Sequence, residues 1–131
     1  MFNFKDKVAV ITGGASGVGY AIGAALAREG AKVVLCDIES SALESAKANL
    51  EKVGLRVDIK QADVSDHDSM VALNKFVTSE VGDVQMLFNN AGVALLNCNP
   101  FGIQTQMIGI GLTGSMLWVL FMVYRHSYLI C

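Results

Sequence analysis

The chain has 131 residues, a net charge of −2 and a pI near 5.6. That is enough for one domain with a modest core, and it gives no reason to expect nucleic acid or an anionic membrane as partner. Three cysteines, Cys36, Cys98 and Cys131, form no metal-ligand spacing. They point to a reducing compartment rather than a disulfide framework. The start, MFNFKDKVAV, places charge where an export signal carries its apolar stretch, so a cytoplasmic location is expected.

Residues 7–12 (KVAVIT) are a short apolar run bounded by glycines, the pattern of a strand buried on both faces. A glycine-rich turn leads into residues 19–30, apolar at helical spacing, with Gly30 placed to end the helix. KVVLCD (32–37) reads as a second buried strand. Residues 41–54 form an amphipathic helix, with Ser40 or Ser41 expected as its cap and Gly54 as its stop. RVDIKQAD (56–63) predicts a third strand running into a loop, residues 66–82 a third helix, and VQMLFNNAG (84–92) a fourth strand ending in a turn. Strands alternating with helices at this spacing imply an α/β fold with a parallel, doubly wound sheet and right-handed crossovers. The strand order expected of that pattern is 3-2-1-4.

The turn Thr12-Gly13-Gly14-Ala15-Ser16-Gly17-Val18-Gly19 follows a strand and opens a helix. A pyrophosphate needs that arrangement, because glycines admit the close approach of backbone and free helix N–H groups stabilise the anion. The plainer use of such a turn is tight strand–helix packing, but strand, helix and spacing all agree with the anion site. Asp37 ends the second strand, 18 residues after Gly19. A carboxylate there can accept both ribose hydroxyls and repels a 2′-phosphate, and no lysine or arginine sits beside it in CDIES. NAD is therefore expected over NADP. The alternative use of Asp37 is as a helix-capping or surface aspartate.

TGGASGVG, the Asp37 strand end, Asp63-Val64 after the third strand and Asn89-Asn90-Ala91-Gly92 after the fourth together resemble the short-chain dehydrogenase/reductase family. The resemblance covers residues 5 to about 94, and the combination of the glycine motif with NNAG is its most specific part. It implies a partial Rossmann fold and NAD(P)-dependent hydride transfer on an alcohol/carbonyl pair. It also implies a cofactor site built from Gly13, Ala15, Ser16, Gly17, Val18, Gly19, Asp37, Asp63, Val64, Asn90, Ala91 and Gly92. By the same resemblance, Asp63 and Val64 contact the adenine, while the NNAG turn supports the sheet and lines the nicotinamide-side ribose. Taken alone, Asp63 would be a loop aspartate and NNAG a turn.

Family catalysis uses a serine and a tyrosine with a lysine four residues later. Tyr124 is followed four places on by Tyr128, and no lysine occurs after Lys75. No catalytic residue is assigned, and residues 1–131 are expected to perform no turnover alone. Members of the family are roughly twice this length, so the remaining strands, the active site and the substrate loop would lie in a half not present here.

The tail differs in kind. Of 22 charged residues, only Arg125 lies in 95–131, where the density of residues 1–94 would give about eight. Met and Trp have single codons, so a frame starting one base earlier is partly forced. Met107-Ile108 then gives Asp, Met116-Leu117 Val or Ala, and Trp118-Val119 and Met122-Val123 Gly. These outcomes agree with the family segment that follows NNAG, including its Val-Asn, when the unforced positions are chosen to match. The organisation expected is a nucleotide-binding half-domain at 1–94 and an apolar tail at 95–131 that is out of frame. Two other uses of the tail stand beside it: cover for the open sheet edge beside the fourth strand, and a membrane anchor over 107–124, an uncharged run of 18 residues diluted by glycines. A non-catalytic NAD-binding module and a membrane-anchored interaction protein are the corresponding alternatives to an enzyme half.

Overall fold

The structure is a computed structural model that describes residues 3–90, together with the backbone of the strand residues 104–105, 117–119 and 124–125. Elements follow the order β1 (Val8–Thr12), α1 (Gly17–Arg28), β2 (Lys32–Asp37), α2 (Ser40–Lys52), β3 (Val57–Gln61), α3 (His67–Glu80) and β4 (Val84–Asn89). Three short strands follow, β5 (Gln104–Thr105), β6 (Leu117–Val119) and β7 (Tyr124–Arg125). The main sheet is ordered β3-β2-β1-β4-β6, so the expected 3-2-1-4 core is present. β1 pairs in parallel with β2 and β4, and β2 with β3.

The apolar runs become the centre of the sheet because strands covered by helices on both faces leave no side for polar residues. All five residues of β1 are buried, as are Val33 to Cys36 in β2. One face of the sheet packs Ile11, Val33 and Leu35 against Ala24, Leu26, Leu43, Ala46 and Leu50 of α1 and α2. The other packs Val10, Val34 and Leu87 against Met70, Leu73 and Val77 of α3. Gly30 and Gly54 end their helices as expected, with φ of 86° and 79°, and the next N–H returns to Leu26 and Leu50 respectively.

Three details depart from the sequence reading. Helix α1 starts at Gly17, two residues before Gly19. Neither Ser40 nor Ser41 caps α2; Glu39 occupies the cap position, and both serines lie inside the helix. The reason is Asp37, whose Oδ1 accepts the Glu39 N–H at 3.3 Å and so turns the chain into α2 one residue earlier. Between β1 and β4 the register slips at Val8/Ala9, skipping Gln85. The Gln85 side chain compensates, with Oε1 accepting the Val8 N–H at 2.7 Å in place of a ladder carbonyl.

β6 lies on the outer edge of β4, parallel to it, with Met86 opposite Leu117 and Phe88 opposite Val119. β5 and β7 form a separate antiparallel pair. The segment 107–124, for which a membrane anchor is the least favoured reading, lies outside the described residues apart from 117–119 and Tyr124. Among the described residues no helix is long and apolar enough to cross a membrane.

Candidate dinucleotide site

Parallel strands with crossover helices bring every strand's carboxyl end to one edge of the sheet. Register fixes what stands there: Thr12 is opposite Cys36 on one side and Asn89 on the other, and Asp37 is opposite Gln61. The glycine-rich turn, Asp37, Asp63 and Asn90 therefore share one edge although up to 77 residues separate them.

The turn is drawn down onto the strand ends. Gly14 donates its N–H to the Cys36 carbonyl at 3.0 Å, and a Cβ on Gly14 would stand 2.9 Å from Leu35 Cδ2 and 3.0 Å from the Ile11 carbonyl. Gly13 and Gly17 take φ of 65° and 58°, the left-handed region that glycine enters at little cost. Gly19 faces the Gly13 carbonyl and the Asn90 amide so closely that a Cβ would collide with both. Ser16 stands at the cap of α1 with extended φ and ψ of −154° and 167°, and its hydroxyl makes no cap bond. No acidic residue occupies the first turn of that helix. The amino end of α1 thus keeps its positive dipole without a side-chain acceptor. By contrast, Asp66 caps α3, accepting the Asp68 N–H at 3.2 Å. Ser16, Gly17 and Val18 are exposed and Ala15 is half-buried.

Asp37 reaches from β2 to the same turn, where Oδ2 accepts the Ala15 N–H at 3.3 Å. Its second oxygen takes the Glu39 N–H. The carboxylate is half-buried and hence pre-oriented at the strand end rather than splayed into solvent. Beneath it, Cys36 is fully buried, and desolvation, aided by the neighbouring Asp37 charge, pushes its thiol up to about 12. Asp63 lies two residues past β3; hydrogen bonds from Ser65, side chain first and backbone second, hold its carboxyl below the usual range. Val64 packs at the margin of the α3-side core.

Asn90 ties the fourth strand to the turn. Its Nδ2 donates to the Gly13 carbonyl at 3.2 Å, and its N–H donates to the buried Thr12 hydroxyl at 3.1 Å. Thr12 in turn donates to the Phe88 carbonyl at 3.4 Å. Ala91 and Gly92 lie outside the described residues. Sequence reasoning passed over Thr12 as part of the linkage, although a threonine closing an all-apolar strand is a visible sign of a buried hydroxyl with a partner. It also missed Gln61, whose Nε2 donates to the Ile38 carbonyl at 2.8 Å, and the serines around Asp63.

A glycine-lined turn over an open helix end, with a carboxylate on the next strand, defines a nucleotide-binding α/β protein. The comparisons narrow that class. A family model described as short chain dehydrogenase matches residues 7–121, and the chain belongs to this family. It is 42% identical over 89 residues to 1-deoxy-11-beta-hydroxypentalenate dehydrogenase of Streptomyces arenae, covering 68% of this chain and 32% of that protein. It is 33% identical over 121 residues to the uncharacterized oxidoreductase YxbG of Bacillus subtilis, covering 89% and 44%. Among solved structures, a short chain dehydrogenase/reductase from Burkholderia phymatum in complex with NAD matches with a TM-score of 0.67 and 42% identity, covering 71% of this chain and 33% of that one. A metagenomic short-chain oxidoreductase in complex with NADP matches with a TM-score of 0.65 and 32% identity, covering 70% and 42%. The chain thus spans between about a third and under half of these four proteins.

Two outcomes follow from this geometry. Gly19→Ala forces the α1 start away from the Gly13 carbonyl, so it should lower stability by about 1–3 kcal/mol and remove dinucleotide binding, as read by urea unfolding and NADH fluorescence. Cys36 should resist a thiol reagent at pH 8 in the native protein and react once unfolded, as read on its own peptide by mass spectrometry. Because the folded pKa is raised from 9.0 to about 12, the folded chain keeps a proton that the unfolded chain loses. The contribution of this thiol to stability is complete below pH 9 and falls away as the pH rises towards 12.

Proposed function

We propose that residues 1–94 are the NAD-binding half of an oxidoreductase that interconverts an alcohol and a carbonyl compound. The observation that carries the reading is the Asp37 carboxylate held at the end of β2 against the glycine-rich turn. A ribose placed there meets two acceptor oxygens suited to its 2′- and 3′-hydroxyls, whereas a 2′-phosphate meets a like charge. The 2′-phosphate would also find no cation in Asp37 to Ser41, the segment that turns into α2.

The bound dinucleotide would supply or accept a hydride. The residues on hand do the binding: Gly13 to Gly19 admit the pyrophosphate to the α1 amino end, Asp37 orients the adenosine ribose, and Asp63 and Val64 border the adenine. Asn90 holds the turn in register with β4. Residues 1–131 contain no tyrosine with a lysine four places later, so the proposal for this stretch alone is cofactor binding without turnover. A non-catalytic NAD-binding module remains the second reading, favoured by that same absence.

The tail from the middle nineties is read as out of frame. Its loss of charge supports this, as do relatives whose alignments take in 66–72% of the chain. The family model and the YxbG alignment run further. The strand at 117–119 is compatible with the reading, because the parallel edge of β4 offers unpaired backbone groups to any extended apolar segment.

Asp37→Ala should weaken NADH by roughly 10- to 100-fold, the range for a hydrogen bond to a charged group, while leaving NADPH nearly unchanged. Wild-type affinity equal for both dinucleotides would contradict the preference, and absence of NADH binding would contradict the whole reading. For the tail, the gene and transcript across 90–131 should show an offset frame that continues into Val-Asn and later Tyr-x-x-x-Lys. An uninterrupted written frame would leave the apolar tail as a genuine segment.

A further inference from the structure

β2 and β3 end together, with Asp37 opposite Gln61, and the Asp37 carbonyl accepts the Ala62 N–H at 3.0 Å. A side-chain bond joins the two chains past that point. Gln61 reaches across, and its Nε2 donates to the Ile38 carbonyl at 2.8 Å. The segment leaving β2 is thus tied to β3 twice, by main chain at Asp37 and by the glutamine amide at Ile38.

The Ile38 carbonyl and the Glu39 N–H belong to one peptide unit, planar and trans. That N–H donates to Asp37 Oδ1 at 3.3 Å. Gln61 therefore holds the carbonyl end of the same plane whose N–H end holds the Asp37 carboxylate. Donation to a peptide carbonyl also polarises the group and strengthens what its N–H gives in turn. The other carboxylate oxygen, Oδ2, takes the Ala15 N–H, again at 3.3 Å. Both bonds to the carboxylate are at the long end for N–H···O, so its aim depends on how the two donors are themselves held. An ionised carboxylate has about four acceptor positions, so each oxygen keeps room for a hydroxyl.

The plainer use of Gln61 is a surface amide. Gln61 and Ile38 are both exposed, and water can satisfy the amide and the carbonyl separately. What the bond adds is direction. Without it the Ile38–Glu39 peptide is free to turn about its flanking torsions, and the Glu39 N–H turns with it.

Building on the NAD reading above, we propose that Gln61 is a positioning residue for the choice between a ribose 2′-hydroxyl and a 2′-phosphate. It acts through the Ile38–Glu39 peptide, which keeps Asp37 Oδ1 at the strand end, where it accepts from a hydroxyl and repels a phosphate. With the peptide free, the carboxylate loses one of its two protein donors and can turn into solvent. The hydroxyl then loses a fixed acceptor and the phosphate loses a fixed repulsion, so the two affinities move towards each other.

The test uses Gln61→Leu, which keeps much of the side chain's bulk and removes the donor. In the ligand-free protein, amide exchange at Glu39 read by NMR should speed up, while exchange at Ala62, which reports the ladder, stays as in wild type. Titration should show NADH weakened by about 3- to 10-fold, the worth of one ordinary hydrogen bond, with NADPH unchanged or tighter. In an Asp37→Ala background the same substitution should alter NADH affinity by less than about twofold, because the residue acts only through that carboxylate. Equal weakening of both dinucleotides, no change in either, unaltered exchange at Glu39, or a full effect in the Asp37→Ala background would overturn the role of Gln61 while leaving NAD binding intact. A wild-type protein that binds NADH no better than NADPH, or binds neither, would take down the NAD reading, and this inference with it.

Discussion

The approach of the glycine-rich turn to the strand ends is the contact on which the rest of the site depends. Gly14 must lie within hydrogen-bond distance of the Cys36 carbonyl, and the start of α1 must rest on the Gly13 carbonyl with no side chain between. Both contacts use backbone atoms whose positions are set by β1 and β2, which are buried throughout their length or nearly so. A core of close-packed aliphatic side chains therefore acts as the rigid base for a backbone cradle. The cost of any Cβ at Gly14 or Gly19 is borne by atoms that cannot relax without moving a central strand.

Electrostatics are layered on that steric base. The α1 amino end lacks an acidic cap, whereas α3 has one. The difference leaves one helix dipole open at the carboxyl edge beside the glycine-rich turn, as an anion site requires. The negative charge that the turn does see is Asp37, held off to the side on β2 and bonded to Ala15. Under the proposed reading, separating the two would keep the dipole end for a pyrophosphate and the carboxylate for ribose hydroxyls. Burial of Cys36 keeps a second negative charge from forming beside Asp37.

Much of this was legible in the chain. β1, β2 and β4 announce themselves as apolar runs because both faces are covered, and the glycines at 30 and 54 mark helix ends that the left-handed φ values bear out. The positions of the glycine turn and Asp37 at the strand ends could be read because each directly follows or closes an apolar run. What stayed hidden depends on the meeting of distant segments. Asn90 on Gly13 and Thr12 on Asn90 span 77 and 78 residues, and the Gln85 side chain can substitute for a ladder carbonyl only where a register slip has been created. The α2 cap was misjudged because a serine stood at the plausible place, while Asp37 two residues before Glu39 had already set the turn. Ser65 and Ser69 passed unnoticed because a loop serine has no pattern until its partner is known.

The most direct measurement of the central claim is an amide-resolved NMR titration of the chain with adenosine diphosphate ribose, which carries the pyrophosphate, ribose and base but no nicotinamide. Saturable shifts should concentrate at Gly13 to Gly19, Asp37 to Glu39 and Asp63 to Ser65. The ends of the helices on the opposite edge, around Gly30, Gly54 and Gly82, should stay unmoved. Shifts spread evenly over the sheet, or none at the glycine-rich turn, would show that this edge does not hold a dinucleotide.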